Sequence, residues 1–209
     1  MKKFMLFLLV ICSCFALMAN LTACDDPTTG DDGGTDGDGT GVSSEVWEEA
    51  QSPDNFDNVT FGMDVNFTTP AEGGQSYIEI KLADDAVAMK EGVDGDYSVT
   101  TNADIVASVK SVYVNTVLAI VDNFADFTHN ATNNCYNGNK DIVYSVEVQG
   151  IAATITAKDV VVELNAENGI AKIACEMTQE FVERGVSQTY VLDVEFTFFN
   201  YGTTVVTAD

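Results

Sequence analysis

The sequence predicts a β-rich α+β fold: an antiparallel meander sheet, curved or a half-barrel, with a short N-terminal helix and one longer central helix packed on one face. Three observations carry this. Apolar and polar residues alternate with a period of two through most of positions 59–199. Turn signals such as Asp94-Gly95, Asn168-Gly169 and Arg184-Gly185 separate the alternating runs. One stretch, Ala103–Phe127, changes to spacings of three and four.

The chain opens on Lys2-Lys3 and an apolar run from Phe4 to Met18. That run is shorter than the roughly 20 residues a membrane-spanning helix needs, and it reads as the hydrophobic part of a secretory signal. Leu21-Thr22-Ala23-Cys24 follows and resembles a bacterial lipobox. The expected signal-peptidase recognition residues are Leu21, Thr22 and Ala23, and the expected lipidation site is Cys24. Residues 1–23 are then a lipoprotein signal peptide. The mature chain is held by lipid on the extracytoplasmic face of the cell membrane.

Positions 24–44 comprise the lipidated cysteine and a Gly/Asp/Thr-rich stretch almost without apolar residues. Such a composition cannot cover a core, so it predicts a disordered tether, spanning about 25 Å root-mean-square for a Gly-rich coil of this length. Within it Asp36-x-Asp38-x-Thr40-Gly41 imitates half of an EF-hand loop. The twelfth position is Trp47 in place of a bidentate glutamate, and no calcium site is expected.

Residues 45–209 form the single predicted domain. Glu45–Ala50 reads as a short helix capped by Ser43 or Ser44, with Trp47 packing it on the sheet. Val59, Phe61, Met63, Val65 and Phe67 alternate with polar residues. Ile78, Ile80 and Leu82 do so next, followed by Val87 and Met89. In Ala103–Phe127 the residues Ile105, Val109, Val112, Thr116, Ile120, Phe124 and Phe127 form a helical stripe. Asn102 is its cap, and the reading is a helix, with two strands as the alternative that its many β-branched residues leave open. From Asp141 onward the pattern is meander again: Ile142–Val148, Ile151–Ile155, Val160–Leu164, Ile173–Phe181 and Tyr190–Phe198. One face is apolar and the other acidic and polar, as in a sheet covered on one side.

Charge and cysteines narrow the function. Thirty-three acidic residues face nine basic ones, for a net charge of −24. Removing residues 1–23 takes away two lysines and no acid, which makes it −26. Such a chain repels phosphate backbones, so nucleic acid is excluded as a partner. Outside the cytoplasm Cys135 and Cys175 are either a disulfide or two free thiols. His129 is the sole histidine, with Asp122 and Asp126 nearby in sequence. One histidine and two surface carboxylates fall short of a metal-ligand set. No P-loop, Cys-x-x-Cys, His-Glu-x-x-His or Gly-x-Ser-x-Gly occurs. No catalytic residue, cofactor or metal is therefore expected, and the chain does not read as an enzyme.

Several short motifs carry a resemblance. Trp47 in a first helix, Asn58-Val59-Thr60 in a strand, Phe127-Thr128-His129 before Tyr136, Asn168-Gly169 in a hairpin, and Phe198-Phe199-Asn200-Tyr201-Gly202-Thr203-Thr204 resemble a group of uncharacterised bacterial surface lipoproteins of Firmicutes type. More distantly the layout is similar to LolA/LppX-like lipoproteins, whose half-barrel sheet and covering helices enclose an apolar groove. With the lipobox-like motif and the missing catalytic motifs, the leading expectation is a membrane-anchored lipoprotein of non-catalytic binding or scaffold type. The second resemblance implies a carrier whose groove would be lined by Phe61, Met63, Phe67, Ile80, Met177, Phe196 and Phe198, holding a lipid or other apolar ligand. A third expectation is an envelope interaction or sensor module, which calls for an exposed apolar patch.

Overall fold

The computed structural model describes residues 41–70, 74–83, 85–148, 151–183 and 186–206. Among these residues two α-helices and ten strands follow in order: α1 (Ser44–Ala50), β1 (Val59–Thr69), β2 (Gln75–Ala83), β3 (Ala86–Glu91), β4 (Ser98–Thr100), α2 (Ala103–Val121), β5 (Phe127–Asn130), β6 (Cys135–Gly138), β7 (Ile142–Val148), β8 (Ile151–Leu164), β9 (Ile170–Glu183) and β10 (Val186–Phe199). Short 3-10 turns at Pro53–Phe56 and Phe124–Asp126 complete it. This is the expected antiparallel, β-rich α+β architecture with one short and one longer helix.

All ten strands belong to one antiparallel sheet, ordered β4-β3-β2-β1-β10-β9-β8-β6-β5, with β7 also pairing β8. Three consecutive 14-residue strands, β8, β9 and β10, form its middle. The last strand returns to the first, with Phe61 opposite Phe198 and Met63 opposite Phe196. β8 serves two neighbours. Its first half pairs β7 from Ile151 to Ala157, and its second half pairs β6 at Val161 and Val162. Between the halves the register with β9 shifts from Lys158 to Val161, where Asp159 takes φ 50. This bulge explains why the buried residues run Ala153, Ile155, Ala157 before it and Val160, Val162 after it.

α2 is a core helix. Asn102 caps it, its side chain accepting from the backbone N–H of Asp104 and Ile105. Val106, Val109, Tyr113, Val117 and Ile120 are buried, and Phe61 meets Tyr113 at 5.5 Å between rings. The helix is thus rotated by one residue from the predicted stripe, since Val112 and Thr116 are only half-buried. It also ends earlier. The side chain of Asn123 accepts from Ala125 N and starts the 3-10 turn, and Phe127 is extended at φ −122, ψ 147. Phe124 and Phe127 therefore keep helical spacing in sequence without helical backbone. They meet Trp47 at 5.4 and 4.9 Å. β4, at Ser98–Thr100, is a strand the alternation did not indicate.

α1 is too short to be stable alone. Ser43 caps it, accepting from Val46 N. Trp47 Nε1 donates to Val121 O at 2.9 Å, satisfying one of the open carbonyls at the end of α2.

Candidate functional site

The two faces of the sheet differ in kind. Phe61, Met63, Phe67, Ile80, Met177, Phe196 and Phe198 are each at most 6% exposed. They belong to one continuous cluster with Trp47, Phe56 and the buried side of α2. Phe198 contacts Phe56 and Phe61 at 5.7 Å each. The set expected to line a groove is therefore part of the packed core.

The opposite face is built from the alternate residues of the same strands. One cross-strand row runs Gln75, Asn66, Asp193, Glu176, Lys158, and the next Tyr77, Asp64, Glu195, Ala174, Val161. Asp64 lies directly opposite Glu195, and Asp193 directly opposite Glu176. Like charges facing each other across neighbouring strands are destabilising. All of these positions except Lys158 and Val161 line an open concavity of about 840 Å³. The backbone-exposing turn at Gly92 and the side chain of Val93, 71% exposed, border one side, and Asp159 of the β8 bulge borders the other.

Electrostatics separates the carboxylates. The carboxyl of Asp64 is pushed above its ordinary value, by burial first and by the charge of Glu195 second. Asn66 Nδ2 donates to Asp193 at 3.3 Å. Lys172 Nζ lies 2.8 Å from Glu195 and 3.9 Å from Glu163, and its ammonium is raised mainly by the hydrogen bond to Glu195.

Beside the concavity stands a second polar group. Glu79 accepts from Tyr77 Oη at 2.8 Å and from Tyr97 Oη, and pairs with Lys90 at 3.3 Å. Lys81 sits 4.1 Å from the centre of the Tyr97 ring. Burial alone would raise Glu79, but the hydrogen bonds from Tyr97, Tyr77 and Lys90 outweigh it and hold the carboxyl low. Tyr77 is pushed up to about 12 by burial and by Glu79. Its ring lies over Gly62, where a Cβ would come within 2.9 Å of the hydroxyl. This cluster pins the segment after β3 to the sheet. Its partners lie on different strands and in a loop, which alternation alone does not reveal.

Other predicted residues fall elsewhere. Cys135 and Cys175 are buried free thiols, so the disulfide alternative does not hold. β8 lies between their strands, which puts them about 10 Å apart across the sheet, beyond the ~7 Å limit for bridging. Burial pushes the Cys175 thiol up to about 12, so it stays protonated and unreactive. His129 Nε2 hydrogen-bonds Asn134 at 3.1 Å, and Asp126 pairs with Lys140 at 2.9 Å. No group of three possible metal ligands occurs among the described residues. Leu21, Thr22, Ala23, Cys24 and the Asp36–Thr40 pattern lie outside the described residues.

The motifs that carried the family resemblance come together in two structural knots. Asn58 Nδ2 donates to Thr204 O at 3.3 Å, and Thr204 N donates to Asn58 Oδ1 at 2.7 Å. The hydroxyls of Thr60 and Thr204 meet at 2.9 Å, and Tyr201 Oη donates to Ile170 O at 2.6 Å. In the other knot Phe127, Trp47, Tyr136 and His129 form a chain of tilted ring contacts, with successive centroids 4.9 to 5.1 Å apart. Both knots fasten chain ends to the sheet. Compared with protein-family models, curated proteins and solved structures, the chain matches none.

Proposed function

We propose that this chain is a lipid-anchored, extracytoplasmic, non-catalytic binding protein that uses the acidic concavity to hold cationic segments of envelope partners. The supporting observation is the placement of two directly opposed like-charge pairs, Asp64/Glu195 and Asp193/Glu176, on the floor of one concavity. Each pair sets like charges side by side, offset in part by Lys172 beside Glu195, Asn66 beside Asp193 and Lys158 opposite Glu176. A ligand ammonium or guanidinium set between the strands would relieve both, so part of the electrostatic strain reappears as binding free energy. The exposed Val93 beside the floor suits the aliphatic stem of a lysine or arginine. Lipid on Cys24 and the acidic tether would hold this face near the membrane surface without presenting a cationic side to it.

Calorimetric titration with an oligolysine peptide tests the reading. Affinity should fall steeply as salt rises. A triple variant, Asp64→Asn/Glu176→Gln/Asp193→Asn, should weaken binding at low salt by about tenfold, or ~1.4 kcal/mol. A control removing three exposed acids elsewhere, Glu48→Gln/Asp54→Asn/Glu167→Gln, carries the same change in net charge. If both variants weaken binding equally, the concavity is not the site.

A further inference from the structure

We propose that β7 is a pairing edge through which two copies of this chain join, antiparallel, about a two-fold axis at Ser145. The ends of the strand order are blunt: β4 has three residues and β5 has four. Very short edge strands are a common protection against unwanted pairing. β7 is different. It has seven residues, and among the described residues its only strand partner is the first half of β8. The bulge at Asp159 creates this situation by dividing the flank of β8, so that β6 takes one half and β7 the other.

The sequence of this edge lacks the usual safeguards. Ile142-Val143-Tyr144-Ser145-Val146-Glu147-Val148 is mostly β-branched or aromatic, with no proline, lysine or glycine and one charged residue. Val143 is 62% exposed on the outer face. Ile142, Tyr144 and Val146 pack against the core on the inner face. The open N–H and C=O groups of an edge are satisfied by an extended backbone, and the strand's own sequence identifies which one. An antiparallel copy centred on Ser145 sets position 142 against 148, 143 against 147, and 144 against 146. The single acidic position then meets a valine position and not its own copy. Tyr144 meets Val146 twice by symmetry, which extends the apolar inner row from one sheet into the next. The contact is isologous and closes on itself. It is also small, so the pair is weak and reversible. Each chain carries −24, so distant repulsion opposes the pair and salt strengthens it. Salt would weaken the capture of a cationic foreign strand.

Full-length protein with Cys12, Cys14 and Cys24 replaced by serine and carrying Ser145→Cys, mildly oxidised and run on a non-reducing gel, reads the pairing directly, since the two remaining cysteines, Cys135 and Cys175, are buried. Ser145 is exposed, so the substitution leaves the core intact. A disulfide-linked dimer should form and should exceed that of Val205→Cys, a control position 70% exposed. Its yield should rise with salt. Two further substitutions at the exposed Val143 fix the register. Val143→Glu sets two glutamates against position 147 and should lower the yield about fivefold, whereas Val143→Lys should preserve or raise it. Equal cross-linking at positions 145 and 205 overturns the proposal. So does a yield that falls with salt, or one that responds alike to glutamate and lysine at position 143.

Discussion

Asp64 and Glu79 share the outer face of the sheet, yet their neighbours drive them in opposite directions. Asp64 faces another carboxylate and is raised. Glu79 gathers two tyrosine hydroxyls and a lysine and is lowered. The signs of their stability effects follow. A carboxyl raised in the folded state destabilises the fold once ionised. Asp64→Asn should therefore increase the melting temperature near neutral pH, with the gain fading as pH falls and both states protonate. A carboxyl lowered in the folded state stabilises above its unfolded value and stops doing so as pH falls through its folded value. Glu79→Gln should lower the melting temperature near neutral pH and have little effect in strong acid. Thermal melts of both variants across the acid range check the pair of signs. The outward direction of both residues is legible from alternation. The convergence of Tyr97 on Glu79 is not, because it depends on how the loop after β3 folds back. The same holds for Asn58 and Thr204, 146 positions apart in the chain and bonded through both backbone and side chain.

Among elements, α1 illustrates how a short helix persists by what it touches. Its seven residues supply one buried indole, which fills the space between Phe124, Phe127 and Tyr136 and closes the end of α2. Trp47→Phe removes both the volume and the donor to Val121. It should cost about 2–3 kcal/mol in urea unfolding, combining a cavity with an unmatched carbonyl. This anchoring role is readable from a lone tryptophan in an amphipathic turn. The end of α2 is less readable. Phe124 and Phe127 continue the three-and-four spacing, so periodicity extends the helix, while the competing signal is the single side chain of Asn123 accepting from the backbone N–H of Ala125. β8 offers the reverse lesson. The change of parity between Ala157 and Val160 is visible in the sequence, and only an inserted residue lets one strand bury both sets.

At the scale of the whole molecule, the covered face is a closed core and the acidic face is the open one. The sequence separates these faces correctly, since every alternating run assigns its apolar side. It does not assign strand order, because the pairing of β1 with β10 joins the two ends of the domain and no local signal encodes it. The apolar residues suggested as a groove lie across β2, β1, β10 and β9, and they pack in one cluster with the covering helix and Phe56. The proposed attachment to a membrane stands or falls with Cys24. Metabolic labelling with a fatty-acid analogue should mark the wild-type protein and leave Cys24→Ala unlabelled. Label on the variant would remove the anchor from the account.

The described chain begins at Gly41 and Val42, which lie against the β5–β6 hairpin. Val42 N donates to Tyr136 Oη at 2.5 Å, and a Cβ on Gly41 would come within 3.0 Å of the His129 ring. Neither residue is part of a strand. Tension transmitted along an anchored N-terminus would thus load Tyr136, Trp47 and the cap of α1 before any ladder of the sheet. Failure under pull would begin by peeling away one short helix. The ten strands would remain zipped, and the acidic outer face of the sheet would keep its shape.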